Sequence, residues 1–126
     1  MRSKGPALHP FRIKRVYAPP EEGDGFRVLV DRLWPRGIAK NKARIDLWLK
    51  DVAPSNDLRR RFHGEPSKWR EFVAAYAREL KEAPAAAALE ILREHAGRDP
   101  VTLLFAARDE AHNNAAALLS LMTRAR

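Results

Sequence analysis

The sequence predicts a small open α/β domain, in which a mostly parallel sheet of about four strands is flanked by helices. Two apolar runs, at 28–30 and 101–105, have strand length and contain no charged residue, as is typical of central strands in a helix-covered sheet. Each run is followed by charged residues, beginning at Asp31 and at Arg108. The segments between them repeat their apolar residues with the period of an α-helix.

Four segments are predicted to be strands: 11–18, 26–33, 46–53 and 101–106. Lys14 and Arg15 interrupt the first, which favours a position near the edge of the sheet. The connector at 19–25 is shorter than a parallel crossover needs, so the first two strands are either antiparallel or not adjacent. In the third segment the alternation of Leu47 and Leu49 favours a strand, with a short helix as the alternative.

Four helices are predicted. Ser55 is the expected N-cap of the first, which continues through Phe62 and stops at Gly64. The third begins at Pro84, and the fourth follows Asp109 as its N-cap. The second has the clearest pattern, a single apolar stripe formed by Trp69, Phe72, Val73, Tyr76 and Leu80. The stripe of the fourth is Ala111, Ala115, Leu118 and Met122.

Composition limits the class of protein. The chain has 126 residues and a mass of 14.3 kDa, which fits one domain. No apolar run approaches the roughly 20 residues of a membrane helix, and no secretory signal is visible, so we expect a cytoplasmic protein without a membrane partner. The absence of cysteine excludes thiolate nucleophiles and thiolate zinc sites, and it fits a reducing compartment.

The formal net charge of +8 is unevenly distributed. Residues 1–20 carry five bases and no acid. We expect 1–10 to form a basic, disordered arm, and 11–126 to form the single α/β domain. The arm and the arginine triplet at 59–61 raise nucleic acid as a partner. This partner is not favoured, because Trp69, Phe72 and Tyr76 are expected in the core rather than on a surface where bases stack.

Polar residues follow two of the predicted strands. The carboxyl ends of parallel strands meet at one edge of a sheet, where ligand crevices form. Arg32 and His112 are therefore expected on the same rim. We predict that one crevice collects the side chains of Asp31, Arg32, Arg36, Arg108, Asp109, His112 and Asn113.

Four of these residues are predicted to bind a ligand: Arg32, Arg36, Arg108 and Asn113. Guanidinium groups bind phosphate and carboxylate groups with two parallel hydrogen bonds, so an anionic small molecule is the expected partner. A buried ion-pair network that holds the loops together is the alternative for Asp31 and the arginines.

The other three, His112, Asp31 and Asp109, are predicted to be catalytic. Asp109, as N-cap, would accept hydrogen bonds from the backbone amides of Ala111 and His112. His112 would then occupy the third helical position, where the helix dipole favours the neutral imidazole as a general acid or base. A purely structural role for both is the alternative. No metal-binding spacing, glycine-rich phosphate loop or nucleophile elbow is present, so we expect no metal and no cofactor.

Two long runs carry a family resemblance. Residues 28–59 (VLVDRLWPRGIAKNKARIDLWLKDVAPSNDLR) and 101–118 (VTLLFAARDEAHNNAAAL) resemble the YeaO-like family of uncharacterised bacterial proteins, a branch of domain of unknown function 488. The resemblance extends from about Ile13 to Leu119. It implies a compact α/β fold and no established activity.

The wider family pairs a strand ending in Asp and Arg with a later strand followed by a Cys-His-Arg turn. Asp31 and Arg32 match the first element. At the second, His112 is retained, but Asn-Asn-Ala stands at 113–115 and Phe105 at an earlier cysteine position. The resemblance therefore implies neither thiol nor paired-histidine chemistry here.

Three functions remain open from the sequence. The first is an enzyme or binding protein for a phosphate- or nucleotide-like small molecule, which uses the predicted crevice. The second is a basic accessory protein that binds nucleic acid. The third is a structural domain without catalysis, in which the polar crevice serves only stability.

Overall fold

The computed structural model describes residues 10–62 and 65–124, and these contain a four-stranded sheet. The strands are β1 (Phe11–Arg15), β2 (Phe26–Leu29), β3 (Leu47–Trp48) and β4 (Val101–Phe105). Their order is β1-β4-β2-β3, and every neighbouring pair is parallel. The predicted α/β fold is confirmed, while the predicted arm, apart from Pro10, and Gly64 lie outside the described residues.

The described residues also form four α-helices: α1 (Asn56–Phe62), α2 (Trp69–Glu79), α3 (Ala85–Ala96) and α4 (Asn114–Arg124). Ser55 caps α1 as predicted, since its Oγ accepts a hydrogen bond from the N–H of Leu58 at 3.1 Å. Short 3-10 turns lie at Glu22–Asp24, Lys40–Lys42, Lys50–Val52 and Pro66–Lys68. No helix of the described ranges is both long and apolar enough to cross a bilayer.

The two faces of the sheet are covered differently. Val28, Leu103 and Phe105 belong to the main core, to which all four helices contribute. The opposite face carries a smaller cluster of Val16, Leu29 and Leu104, packed against Trp34, Ile45 and Trp48. Helices therefore cover one face, and the mostly irregular segment 32–50 covers the other.

The alternative that the first two strands are not adjacent is correct. β4 lies between β1 and β2 and pairs with both, from Phe11 opposite Val101 and from Phe26 opposite Val101. The short connector at 19–25 therefore passes the amino end of β4 rather than forming a hairpin. At this point Phe26 N–H donates to the carbonyl of Pro100 at 2.8 Å.

The predicted third strand is shorter than expected. Leu47 and Trp48 pair with β2, but Leu49 leaves the extended region at φ −106° and ψ 65°, and a 3-10 turn follows at Lys50–Val52. The N–H of Leu49 still donates to the carbonyl of Leu29 at 2.9 Å. The predicted strand and the alternative of a short helix are therefore each partly right for this segment.

A buried ion pair lies at the amino end of β2. Asp24, only 1% exposed, accepts a hydrogen bond from Lys14 Nζ at 2.8 Å and is paired with Arg27. Arg27 is 5% exposed, and its guanidinium also donates to the carbonyls of Arg44 at 2.7 Å and Ala43 at 3.4 Å. This pair fixes the start of β2 to the segment that covers the second face.

Candidate functional site

A cavity of about 700 Å³ lies at the carboxyl ends of β2 and β4. We call it the rim cavity. All seven side chains predicted to share a crevice line it: Asp31, Arg32, Arg36, Arg108, Asp109, His112 and Asn113. Arg32 and His112 thus lie on the same rim, while the roles of the seven residues in binding or catalysis stay predictions.

Asp31 is held where β2 ends. Its Oδ2 accepts a hydrogen bond from the N–H of Ala106 at 2.9 Å, and its own carbonyl accepts one from Trp48 Nε1 at 2.8 Å. Burial raises the pKa of Asp31, against the opposing effects of the Ala106 hydrogen bond, the amide of Asn114 and the charge of Arg59. The carboxyl group is therefore easier to protonate than an exposed aspartate.

Arg32 contacts backbone rather than an acid. Its Nη2 donates to the carbonyl of Ala53 at 3.0 Å, and its Nε donates to that of Pro54 at 3.3 Å. Within the described residues Arg32 forms no ion pair with Asp31 or with another carboxylate. The alternative of a buried ion-pair network is thus not what joins these loops.

Asp109 and His112 form a compact polar turn. Asp109 Oδ1 accepts the predicted hydrogen bonds from the backbone amides of Ala111 at 2.9 Å and His112 at 3.0 Å. Its Oδ2 lies 3.0 Å from His112 Nδ1. The amide of Ala111 first, and then the hydrogen bonds of His112, lower the pKa of Asp109. The imidazole meets the ring of Trp69 edge-on, with centroids 5.2 Å apart.

The predicted start of the last helix is wrong. α4 begins at Asn114, and Asn113 acts as its N-cap because its Oδ1 accepts a hydrogen bond from the N–H of Ala116 at 2.7 Å. His112 therefore lies before the helix, so the dipole argument based on a third helical position does not apply to it. Ala111, predicted on the apolar stripe, is exposed.

The asparagines have structural roles that the sequence analysis missed. Besides capping α4, Asn113 donates from Nδ2 to the carbonyl of Asp109 at 3.0 Å. Asn114 Nδ2 donates to the carbonyl of Val30 at 2.7 Å. This second bond joins α4 to the end of β2, so the segments that follow β2 and β4 line the rim cavity together.

Several lining residues were not predicted. Arg59 of α1 lies on the cavity, although the arginine triplet had indicated nucleic acid rather than this site. Aromatic rings form much of the wall: Tyr17, Trp34, Phe62, Trp69 and Phe72. Trp69 and Phe72 were assigned to the core, and they are only partly buried. Their place at the start of the α2 stripe, beside a Pro-containing turn, was the available signal.

Within residues 10–62 and 65–124, no group of three or more histidine, aspartate or glutamate side chains is arranged to hold a metal ion. The polar contacts of Asp31, Asp109 and His112 are instead hydrogen bonds to backbone amides and to each other. The arrangement can bind anions through arginines and hydrogen-bond donors through Asp31.

We expect Asp31→Asn to raise the free energy of unfolding at neutral pH by about 0.5–1 kcal/mol. An acid whose folded pKa is raised loses stability as the pH rises through its unfolded value of 3.8 toward the folded one. The asparagine Oδ1 retains an acceptor for Ala106 N–H without a buried charge. Urea unfolding at about pH 7 and about pH 3 measures the difference, which should vanish at the lower pH.

The exposed Asp51 provides the control for this comparison, because Asp51→Asn should change stability by less than about 0.5 kcal/mol at either pH. A loss of stability in Asp31→Asn at neutral pH would contradict the argument, since it would mean that the charge of Asp31 is well satisfied in the folded protein.

Comparisons with known proteins agree on the family. Residues 10–125 match a family model described as the inactive DUF488-N3 subclade. An uncharacterized protein of Mycobacterium tuberculosis is 45% identical over 111 residues, which cover 88% of this chain and 92% of that protein. An uncharacterized protein of Mycobacterium bovis has the same identity and coverage.

The uncharacterized protein YeaO of Escherichia coli is 43% identical over 107 residues, or 85% of this chain and 91% of its own. No solved structure is significantly similar to the chain. The resemblance seen in the runs 28–59 and 101–118 thus extends over nearly the whole sequence, and the chain belongs to the YeaO-like DUF488 family, within the subclade described as inactive.

Proposed function

We propose that this protein binds an anionic, phosphate- or nucleotide-like small molecule in the rim cavity and acts by binding rather than by catalysis. The observation that carries the proposal is the convergence of four arginines, Arg32, Arg36, Arg59 and Arg108, on one cavity with aromatic walls. A volume of about 700 Å³ is in the usual range for small-molecule sites.

The four arginines of the cavity differ in their contacts within the protein. Arg32 is fixed by the carbonyls of the turn at 53–54. Arg36, Arg59 and Arg108 are exposed and form no ion pair among the described residues. Guanidinium groups in this situation retain their donors for an incoming anion, and a cavity wall that partly excludes water strengthens the interaction.

The aromatic wall favours a ligand with a flat, unsaturated part. Trp69 stacks on Phe72 with centroids 5.6 Å apart, and both line the cavity near His112. Nucleobases stack on such rings, and arginines nearby bind the phosphate of the same molecule. A nucleoside monophosphate therefore fits both halves of the cavity better than inorganic phosphate does.

The family description supports binding without turnover, because the matching subclade is described as inactive. In this proposal the three residues predicted to be catalytic have hydrogen-bonding roles. Asp31 accepts from ligand N–H groups, and Asp109 holds the His112 imidazole at the cavity wall.

Calorimetric titration with AMP, inorganic phosphate and adenosine tests the proposal. We expect AMP to bind more tightly than either part alone. The double variant R36Q/R108Q should weaken AMP binding at least about tenfold, because each lost charged hydrogen bond contributes about 1.5–3 kcal/mol. The matched control R78Q/R98Q removes the same charge from exposed arginines outside the cavity and should leave the affinity within about twofold.

Equal weakening in the two double variants would contradict a site at the rim cavity. An absence of binding for all three compounds would favour the structural-domain alternative. Chromatography of the AMP mixture after incubation adds the test of turnover, since the appearance of a product that His112→Ala abolishes would contradict a binding-only role.

A further inference from the structure

A second charged surface lies on the face of the sheet that the segment 32–50 covers. This segment contains six bases, Arg32, Arg36, Lys40, Lys42, Arg44 and Lys50, and a single acid, Asp46. We call residues 36–50 the basic face. Its charge was not singled out by the sequence analysis, which located the excess in the arm and in the arginine triplet.

The cations of the basic face are exposed and unpaired among the described residues, although Asp46 and Asp51 lie nearby in the sequence. Arg36, Lys40, Lys42, Arg44 and Lys50 are exposed, and none forms an ion pair with a carboxylate of the described residues. Five like charges in fifteen residues repel one another unless an external anion compensates them.

Three cations outside the basic face are paired with acids. Arg60 pairs with Asp57 at 3.7 Å, Lys68 with Glu65 at 3.5 Å and Arg93 with Glu90 at 3.6 Å. These three pairs lie on exposed helical or turn surfaces, where an acid three residues away can reach a cation. The described basic face contains no such pair, as is also true of the exposed helix residues Arg70 and Arg78.

Aromatic rings are interleaved with these cations. Trp34 and Trp48 meet edge-on with centroids 5.5 Å apart. Lys40 Nζ lies 5.5 Å from the centroid of Trp34, and Lys50 Nζ lies 4.8 Å from that of Trp48. Cations alternating with aromatic rings are the arrangement by which proteins bind single-stranded nucleic acid, through phosphates and stacked bases together.

The backbone beneath the basic face is fixed. Trp34 Nε1 donates to the carbonyl of Ile38 at 2.7 Å, and the buried Arg27 donates to that of Arg44. Arg44 has φ 52°, a left-handed conformation that a non-glycine residue adopts only when its surroundings impose it. Because the loop is held in this way, its backbone loses little freedom when an anion binds, and only the side chains have to be ordered.

We propose that the basic face binds single-stranded nucleic acid through Lys40, Lys42, Lys50 and Trp48, while Trp34 and Arg36 lie at its boundary with the rim cavity. The arginine triplet does not act as one patch with it. Arg59 lines the rim cavity, Arg60 pairs with Asp57, and the guanidinium of Arg61 lies 5.3 Å from the ring centroid of Phe62. An acidic protein would use the cations alone, whereas a nucleic acid uses the tryptophans as well.

Fluorescence anisotropy with a labelled oligodeoxythymidine on the order of 15 nucleotides tests the proposal. We expect K40Q/K42Q/K50Q to weaken binding at least about tenfold and to reduce the slope of log K against log salt by about 2. The control R60Q/K68Q/R93Q has the same net charge as K40Q/K42Q/K50Q, but the three charges that it removes are already paired with acids. Its affinity should fall by less than about threefold.

Stacking gives a second readout. Saturating oligonucleotide should quench the intrinsic fluorescence of the parent and of Trp69→Phe alike, since Trp34 and Trp48 are the expected stacking residues. Quenching that disappears in Trp69→Phe would overturn the assignment to the basic face.

Three further outcomes would also overturn the proposal. The first is an equal loss of affinity in the two triple variants, which would mean unspecific attraction by net charge. The second is tighter binding of a duplex of the same length than of the single strand. The third is binding to phosphatidylserine vesicles, without binding to the oligonucleotide, that K40Q/K42Q/K50Q abolishes.

Discussion

Asp24→Asn is expected to lower the free energy of unfolding by about 3–5 kcal/mol, because the substitution leaves Arg27 as an uncompensated buried cation. Asp24 is 1% exposed and Arg27 is 5% exposed, so water does not replace the lost carboxylate. The asparagine keeps the size of the side chain, and the change therefore removes charge rather than packing. Urea unfolding at neutral pH measures it.

The matched control is Glu90→Gln, which removes an exposed partner from Arg93. It should change stability by less than about 0.5 kcal/mol. The double variant D24N/R27M should be more stable than D24N alone, since no buried charge is then left unpaired. A double variant less stable than D24N would mean that Arg27 contributes mainly through the carbonyls of 43–44.

The loss of stability in Asp24→Asn should also depend on pH. Burial alone would raise the pKa of Asp24, but hydrogen bonds from Lys14, from the backbone of Glu21 and from Arg27 outweigh burial and lower it. A depressed folded pKa gives stability that is present above the unfolded value of 3.8 and is lost as the pH falls through the folded value. The difference between the parent and D24N should therefore shrink as the pH falls below 3.8. A difference that stays constant to low pH would contradict the assignment.

The position of the candidate site could be predicted from the sequence because it follows from sheet topology. Apolar runs that are followed by Asp31 and Arg108 place their polar residues at a common edge when the strands are parallel and adjacent. β2 and β4 satisfy both conditions. Nothing in the order of residues required the insertion of β4 between β1 and β2, but the short connector at 19–25 already argued against a parallel neighbour.

The start of α4 could not be predicted, because two side chains compete for the same local role. Asp109 accepts from two backbone amides as an N-cap does, yet the helix begins only after Asn113. The helix start at Asn114 also involves a contact between residues distant in sequence, because Asn114 donates a hydrogen bond to the carbonyl of Val30, 84 positions earlier. Local propensity contains no information about that contact.

The aromatic side of the rim cavity could not be predicted, although the apolar stripe that supplies it was predicted correctly. Trp69 and Phe72 do belong to the apolar stripe of α2, and Tyr76 farther along it is fully buried. The stripe predicts which side of the helix faces inward, but not that its first turn extends to the edge of the sheet. The positions of Trp34 and Trp48 could not be predicted either, because they depend on how the segment 32–50 folds over the second face of the sheet.

Gly25→Ala is expected to lower the free energy of unfolding by at least about 3 kcal/mol, through a backbone collision. Gly25 has φ 66° and ψ −135°, and an added Cβ would lie 2.1 Å from the carbonyl oxygen of Pro100. That oxygen accepts the N–H of Phe26 at 2.8 Å, which holds the start of β2 beside β4. Because the obstacle is backbone, no side-chain rotation relieves it.

Gly37→Ala separates this collision from the conformational preference of glycine. Gly37 also has a positive φ of 81°, but no atom of the described residues lies within 4 Å of an added Cβ, so its substitution should cost only about 1–2 kcal/mol. Urea unfolding of both variants measures the difference, and a Gly25→Ala chain that is unfolded in buffer while Gly37→Ala folds would agree with the expectation. Equal losses in the two variants would instead mean that the strand start shifts away from Pro100 at little cost. The contact that joins β2 to β4 would then be less rigid than a cavity built on their carboxyl ends requires.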